Sequence, residues 1–125
     1  MTYTRKKPRP PGAAIHIIAV DFDGVIMDKS NLCTQFGGAG LCIGRPIDGV
    51  EESIERLARR YELVVFSSRA GEPEGLEAIQ RWLEQHHLDK FFSGITHEKI
   101  NALAYIDDRG VRFENWAATL KHFNA

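Results

Sequence analysis

Two aspartates stand directly after a mostly apolar segment near the start of the chain. Residues 15–20 are rich in Ile and are followed at once by Asp21, Asp23 and Gly24. Such a run is typical of a parallel strand that is buried on both faces. Carboxylates clustered at the end of a buried strand repel one another and lose hydration, a cost that a cation site or a phosphate-handling site would justify. The spacing therefore predicts a cation- or phosphate-handling site at Asp21 and Asp23.

Polar side chains also close two later apolar segments. Ser67 follows residues 62–66, and Asp107 with Asp108 follows residues 103–106. The carboxyl ends of parallel strands share one edge of a sheet, where α/β proteins bind their ligands. Neighbouring strands lie only about 4.8 Å apart. We therefore expect these residues, although distant in sequence, to converge on one pocket with the first aspartates.

The elements that must position these residues alternate between strand and helix along the chain. This alternation predicts a single α/β domain, Rossmann-like, with a parallel sheet flanked by helices. The first helix is expected to begin with a capping box formed by Asp48 and Glu51, and Trp82 and Trp116 are expected in the core. The sequence favours strands at 15–21, 62–66, 91–95 (strand or turn) and 103–106, and helices at 49–60, 74–87, 97–101 (one turn) and 113–123.

Composition places the chain among ordinary globular domains. It has 125 residues, of which 43% are hydrophobic, enough to bury a core. Residues 1–12 hold four of the 16 basic residues and none of the 17 acidic ones, which predicts a flexible, Pro-rich tail before a folded body at 13–125.

No segment is long and apolar enough for a membrane helix or a secretory signal, and Cys33 and Cys42 are expected to be free thiols. We therefore expect a cytoplasmic protein with no membrane partner.

Taken together, the motifs resemble those of the haloacid dehalogenase superfamily. The segment 21–25 (DFDGV), Ser67, Lys99 and the pair Asp107 and Asp108 occur in the order that the superfamily uses. The resemblance covers residues 15 to about 116, nearly the whole folded body. It implies a Mg²⁺-dependent phosphatase, that is, a phosphomonoester hydrolase with an aspartyl-phosphate intermediate.

The resemblance also implies a role for each motif residue. Asp21 would attack phosphorus, and Asp23 would protonate the leaving group and later activate water. Gly24 would let the backbone turn tightly beside the phosphate. Ser67 would donate to a phosphoryl oxygen, with Ser68 left open as the alternative in register.

The same resemblance implies a magnesium site. Asp21 would supply one carboxylate and Asp23 its backbone carbonyl. The second carboxylate would come from Asp107 or Asp108; the family pattern favours Asp108, with Asp107 bonding water or Lys99. Lys99 would neutralise the phosphate and keep Asp21 ionised.

Spacing along the chain predicts that no cap domain covers the site. The polar, Gly-rich segment at about 28–47 is too short to hold one, and the stretch between Ser67 and Lys99 is used up by the second helix and its flanks. An open site suits a large phosphorylated substrate such as a nucleic-acid end. It also suits a small metabolite or nucleotide if a neighbouring subunit of a homo-oligomer covers it.

Two other classes of protein remain as alternatives. One is a member of the superfamily that has lost turnover and acts as a binding or scaffolding domain. The other is a receiver-type phosphoacceptor domain, which is disfavoured because residues 63–68 offer no aspartate and Lys99 precedes Asp107. Arg69 and Arg109 each follow a motif; contact with substrate phosphate and ion pairing, to Glu72 or to the acidic cluster, are both open for them.

Overall fold

The computed structural model describes residues 16–29 and 44–125. The predictions for the basic tail at 1–12, for Cys33 and Cys42, and for most of the Gly-rich segment lie outside these residues.

Four parallel strands and three helices make up the described fold. The strand order in the sheet is β3-β2-β1-β4, so β1 and β2 are interior and β4 is an edge. This confirms the predicted α/β domain with a parallel sheet flanked by helices. The strands are β1 (Ile17–Asp21), β2 (Glu62–Phe66), β3 (Phe92–Thr96) and β4 (Ala104–Ile106), and the helices are α1 (Val50–Ala58), α2 (Pro73–Gln85) and α3 (Trp116–His122).

Helices α1 and α2 cover the same face of the sheet. Helix α1 connects β1 to β2 and α2 connects β2 to β3, so both connections move in the same direction across the sheet. Because crossovers between parallel strands are right-handed, both helices then lie on one side. Accordingly, Ile54 of α1 and Ile79 of α2 share one hydrophobic core with Val20 and Val65, from alternate positions of the central strands. The connection from β3 back to β4 steps in the opposite direction, so the same rule places residues 97–103 on the other face.

Trp82 anchors the core beneath the first motif. Its side chain is almost fully buried, and its ring meets that of Phe22 edge-on with centroids 5.2 Å apart. The indole nitrogen donates a hydrogen bond to the Gly44 carbonyl at 2.8 Å, so its one polar atom is satisfied. Because Phe22 lies between Asp21 and Asp23, this packing holds the first motif against the core.

The start of α1 differs from the predicted capping box. The residue that caps the helix is Gly49, in a left-handed conformation with φ 82°, and no side chain caps it. In a capping box, the side chain of the residue at the cap position accepts a hydrogen bond, and a glutamate follows three residues later. Here Gly49 occupies the cap position, and Asp48 lies one residue before it. The prediction for Asp48 and Glu51 was therefore wrong by one residue.

The predicted helical turn at 97–101 is also absent, since these residues are irregular. Glu98 donates its backbone N–H to the Thr96 hydroxyl at 3.0 Å, which turns the chain immediately after β3. The Ile100 carbonyl accepts the Tyr105 hydroxyl instead of a helical N–H.

The last third of the chain is more exposed than its sequence suggests. Residues 103–106 were expected to be buried, but β4 is an edge strand and Ile106 is 37% exposed. Residues 107–115 have no regular structure, and α3 begins after the chain has left the sheet. Trp116 is consequently 69% exposed, which corrects its predicted place in the core.

Within the described part of the chain, no helix combines the length and the apolar character that crossing a bilayer requires.

Candidate functional site

Three carboxylates from two adjacent strands converge at the carboxyl edge of the sheet. Asp21 ends β1, and Asp107 with Asp108 directly follows β4, whose Ile106 is paired with Val20 of β1. One oxygen of each carboxylate lies within 4.8 Å of the other two. The register of β1 and β4 thus brings together residues that are more than 80 positions apart in the sequence.

Asp21 is the most perturbed acid of this cluster. Burial and, next, the negative charge of Asp107 raise its pKa to about 6, and the charges of Asp108 and Asp23 contribute in the same direction. A hydrogen bond from the Phe22 backbone N–H, at 2.9 Å, partly offsets these effects. Asp21 is therefore mostly ionised at pH 7 but at a free-energy cost, which a bound cation would relieve.

A tight turn after β1 brings the backbone against the cluster. The Phe22 carbonyl accepts the N–H of Ile26 at 3.0 Å and of Met27 at 2.9 Å, while Gly24 donates to the Met27 carbonyl at 2.8 Å. Gly24 has φ 86°, and a Cβ atom there would overlap Asp108 Oδ2. The turn therefore requires glycine, both for its backbone conformation and for the close approach of Asp108.

Lys29 supplies a cation to this cluster that sequence reasoning missed. Its Nζ lies 2.8 Å from Asp108 Oδ2, and this hydrogen bond is the main reason that the pKa of Asp108 falls below its ordinary value. Lys29 is one lysine in a polar stretch without a recognisable motif. Only the turn at 22–27 brings it to the cluster, so no pattern in the sequence identifies it.

Asp107 has a structural role beside its place in the cluster. Its Oδ1 accepts the backbone N–H of Arg109 at 2.6 Å and of Gly110 at 3.2 Å. These bonds close the turn that follows β4 and orient the carboxylate.

Asp23 is not one of the three clustered carboxylates, and it pairs with Arg69. The Arg69 Nε lies 3.0 Å from Asp23 Oδ2. Two roles were open for Arg69, namely contact with substrate phosphate and ion pairing. The structure shows an ion pair, and its partner is Asp23 of the first motif. The other oxygen, Asp23 Oδ1, is buried and has no hydrogen-bond partner within the described residues. A buried acceptor without a partner is costly, and a ligand that donates a proton or a hydrogen bond would satisfy it.

Ser67 lies at the end of β2, next to the end of β1. Asp21 is paired with Phe66, so Ser67 is the next residue along the neighbouring strand. Its side chain is buried, and its hydroxyl oxygen accepts the Arg69 N–H at 3.2 Å. Among the described residues the hydroxyl has no acceptor, so it can donate its proton to an anion. Ser68, the alternative in register, is exposed and begins the 3-10 turn at Ser68–Gly71.

Lys99 is exposed and stands beside the cluster. Its Nζ lies 5.7 Å from the centre of the Tyr105 ring, and Lys99 and Asp107 line the same hollow. Across residues 16–29 and 44–125, no ion pair joins Lys99 to Asp21.

The donor set of the site fits a divalent cation such as Mg²⁺. Hard cations prefer oxygen ligands, and Asp21, Asp107 and Asp108 present three carboxylates. In an octahedral Mg²⁺ site, with bonds of about 2.1 Å, ligand oxygens lie about 3–4 Å apart. Small side-chain movements would bring the three carboxylates into that range, and the absence of a Cβ atom at Gly24 lets Asp108 approach the turn closely.

No protein-family model, curated protein or solved structure matches the chain. The likeness to the haloacid dehalogenase superfamily therefore rests on the motifs themselves.

Proposed function

We propose that the chain is a Mg²⁺-dependent phosphomonoester hydrolase that acts through an aspartyl-phosphate on Asp21. The convergence of Asp21, Asp107 and Asp108 at one edge of the sheet, beside the end of β2, carries this proposal. Phosphoryl transfer needs a positioned nucleophile, neutralisation of charge and a proton donor, and the site offers residues for each task.

In the first half of the reaction, an Asp21 carboxylate oxygen attacks phosphorus while the ester P–O bond breaks. The departing oxygen takes a proton from the carboxylic-acid form of Asp23, which requires the ion pair with Arg69 to open, and leaves as an alcohol. Asp23 Oδ1 is buried and has no hydrogen-bond partner among the described residues, so it is the oxygen available for this transfer. The pKa of Asp21 near 6 supports the role of nucleophile, since the carboxylate is ionised at neutral pH.

In the second half, a water molecule attacks the phosphorus of the aspartyl-phosphate. Asp23, now a carboxylate, accepts one proton from the water as the bond between phosphorus and Asp21 breaks. Inorganic phosphate leaves, and both aspartates return to their starting states.

The remaining residues bind the phosphoryl group and the metal. Ser67 donates its free hydroxyl proton to a phosphoryl oxygen, and Lys99 neutralises part of the phosphate charge. Asp21 and Asp108 would hold Mg²⁺, together with the Asp23 carbonyl that the family resemblance implies, and Asp107 would orient the bound water. When bound, Mg²⁺ neutralises negative charge on the phosphoryl oxygens and on the clustered carboxylates.

Hydrolysis of a generic aryl phosphate, with Mg²⁺ or with EDTA, tests the proposal. Wild type should turn over only with Mg²⁺, and Asp21→Asn should be inactive in a folded state. Asp48→Asn, an exposed acid outside the cluster, is the matched control and should keep full activity. Intact-mass analysis of rapidly quenched wild type should detect a phosphoryl adduct that Asp21→Asn lacks.

Each opposing outcome has a distinct meaning. Metal-dependent turnover by Asp21→Asn would exclude Asp21 as the nucleophile. Folded wild type that binds Mg²⁺ without turning over any member of a broad phosphomonoester panel would favour the binding-domain alternative.

A further inference from the structure

A hollow of about 800 Å³ opens directly beside the acidic cluster. Asp107 belongs to both, and Lys99 lies on the wall of the hollow. Phe66, the residue before Ser67, lines it as well. A group bound in the hollow would therefore adjoin the residues proposed to handle phosphate. Its volume falls within the range of pockets that hold small organic ligands, about 300–1,000 Å³.

The aromatic wall of the hollow is held in place before any ligand binds. Tyr105 and Phe66 meet edge-on with ring centres 5.6 Å apart. The Tyr105 hydroxyl donates to the Ile100 carbonyl, so its polar atom is already satisfied and its ring is available for apolar contact. The Lys99 ammonium sits 5.7 Å from the Tyr105 ring centre, within the range of a cation–π contact.

Another part of the lining comes from the chain that follows β4. Asp107 closes the turn there by accepting the N–H groups of Arg109 and Gly110. Beyond the turn, the apolar residue Val111 and the cationic residue Arg112 both line the hollow. Together with Leu103, which is 57% exposed, Val111 offers aliphatic surface near the aromatic pair.

We propose that this hollow binds the organic part of the phosphomonoester, and that the substrate is a small molecule with a planar ring and a second anionic group. The ring would lie among Tyr105, Leu103 and Val111. The second anion would meet Arg112, whose planar fork matches a carboxylate or phosphate. This inference rests on the proposed function, since that function places the reacting phosphate at Asp21.

Three non-hydrolysable phosphonates test the inference in the presence of Mg²⁺: methylphosphonate, benzylphosphonate and carboxybenzylphosphonate. Each is measured as a competitive inhibitor of aryl phosphate hydrolysis and by calorimetry. We expect the ring to improve affinity about tenfold over methylphosphonate through burial of apolar surface. We expect the added carboxylate to improve it about threefold more, the scale of a solvent-exposed ion pair.

Variants then assign these gains to the walls. Leu103→Ser and Val111→Ser should lose most of the gain from the ring and keep wild-type affinity for methylphosphonate. Leu120→Ser is their control, since Leu120 is an apolar residue on α3 whose exposure lies between those of Leu103 and Val111. Arg112→Gln should lose only the gain from the carboxylate, whereas Arg81→Gln, an exposed arginine on α2, should lose nothing.

The outcomes separate this inference from the function beneath it. If methylphosphonate and benzylphosphonate compete equally well, the hollow does not bind the organic group, and the phosphatase proposal stands. If the gain from the ring persists in both serine variants, the ring binds elsewhere and the inference is wrong. If neither hydrolysis nor competition is seen with folded protein, the proposed function and this inference fail together.

Discussion

Replacement of Asp21 by Asn is expected to stabilise the metal-free protein at neutral pH while it abolishes activity. Burial of Asp21 and, next, the charges of the neighbouring carboxylates raise its pKa to about 6 from an ordinary 3.8. The folded chain therefore holds the Asp21 proton more tightly than the unfolded chain does. By linkage, the wild type loses stability as the pH rises from about 4 to about 6. Above that pH range the folded wild type carries the full free-energy cost of the charge on Asp21, whereas the uncharged Asn variant carries none.

The size of the effect follows from the shift in pKa. A change of about two pH units corresponds to about 3 kcal/mol, at roughly 1.36 kcal/mol per unit. Because Asp21 is partly open to solvent, screening reduces this to about 1–1.5 kcal/mol. For a domain of this size, such a gain raises Tm by about 5 °C.

Urea denaturation in EDTA at pH 4 and pH 7.5 measures the effect. The advantage of Asp21→Asn should be near zero at pH 4 and about 1–1.5 kcal/mol at pH 7.5. Asp48→Asn, exposed and remote from the cluster, should show no advantage that grows with pH. If the stability advantage of Asp21→Asn is absent, or equal at both pH values, the inference that the charge on Asp21 destabilises the folded state is refuted.

Adding Mg²⁺ should reverse the order of stability. A ligand that binds only the folded state at one hundred times its Kd stabilises it by about 2.7 kcal/mol. Asp21→Asn lacks one carboxylate of the site and should gain much less. Equal stabilisation of both proteins by Mg²⁺ would exclude Asp21 as a metal ligand.

Three further predictions follow from contacts of the described residues. Gly24→Ala should lose at least about 1–2 kcal/mol of stability from its left-handed backbone alone, and most of its Mg²⁺-dependent turnover, because the new Cβ displaces Asp108. Lys29→Met should raise the pKa of Asp108 towards its ordinary value and tighten Mg²⁺ binding about threefold by calorimetry, since a competing cation is removed. Acrylamide should quench the fluorescence of Trp116 strongly in Trp82→Phe, and that of Trp82 weakly in Trp116→Phe.

Matched controls sharpen these three tests. Gly110→Ala lies beside the same cluster, but its new Cβ would meet only ordinary contacts, so it should retain stability and turnover. Lys90→Met removes an exposed lysine outside the carboxylate cluster and should leave Mg²⁺ affinity unchanged. Weaker Mg²⁺ binding by Lys29→Met would show that the ion pair with Asp108 organises the site. Similar quenching of both tryptophans would contradict the exposed position of α3.

Much of the fold was predictable because its signals are local. The strand at 62–66 matches its prediction residue for residue. Helix α2 begins within one residue of its predicted start, because Pro73 favours a first turn and Ile79 and Leu83 follow at helical spacing. The same alternation of strands and helices implies a parallel sheet, which puts Asp21 and Asp107 on one edge. The meeting of these acids is thus a consequence of sequence pattern and chain topology together.

The sequence by itself determined which residues end the strands, whereas the tertiary structure alone decided their partners. Lys29 pairs with Asp108 across 79 positions, and Asp23 pairs with Arg69. The exposure of β4 likewise follows from the order of the strands, and that of Trp116 from the start of α3 after the chain has left the sheet. The physical reason is range: helical and strand periodicity depends on neighbours a few residues apart. Ion pairs and edge positions instead depend on how distant segments dock, which no local pattern encodes.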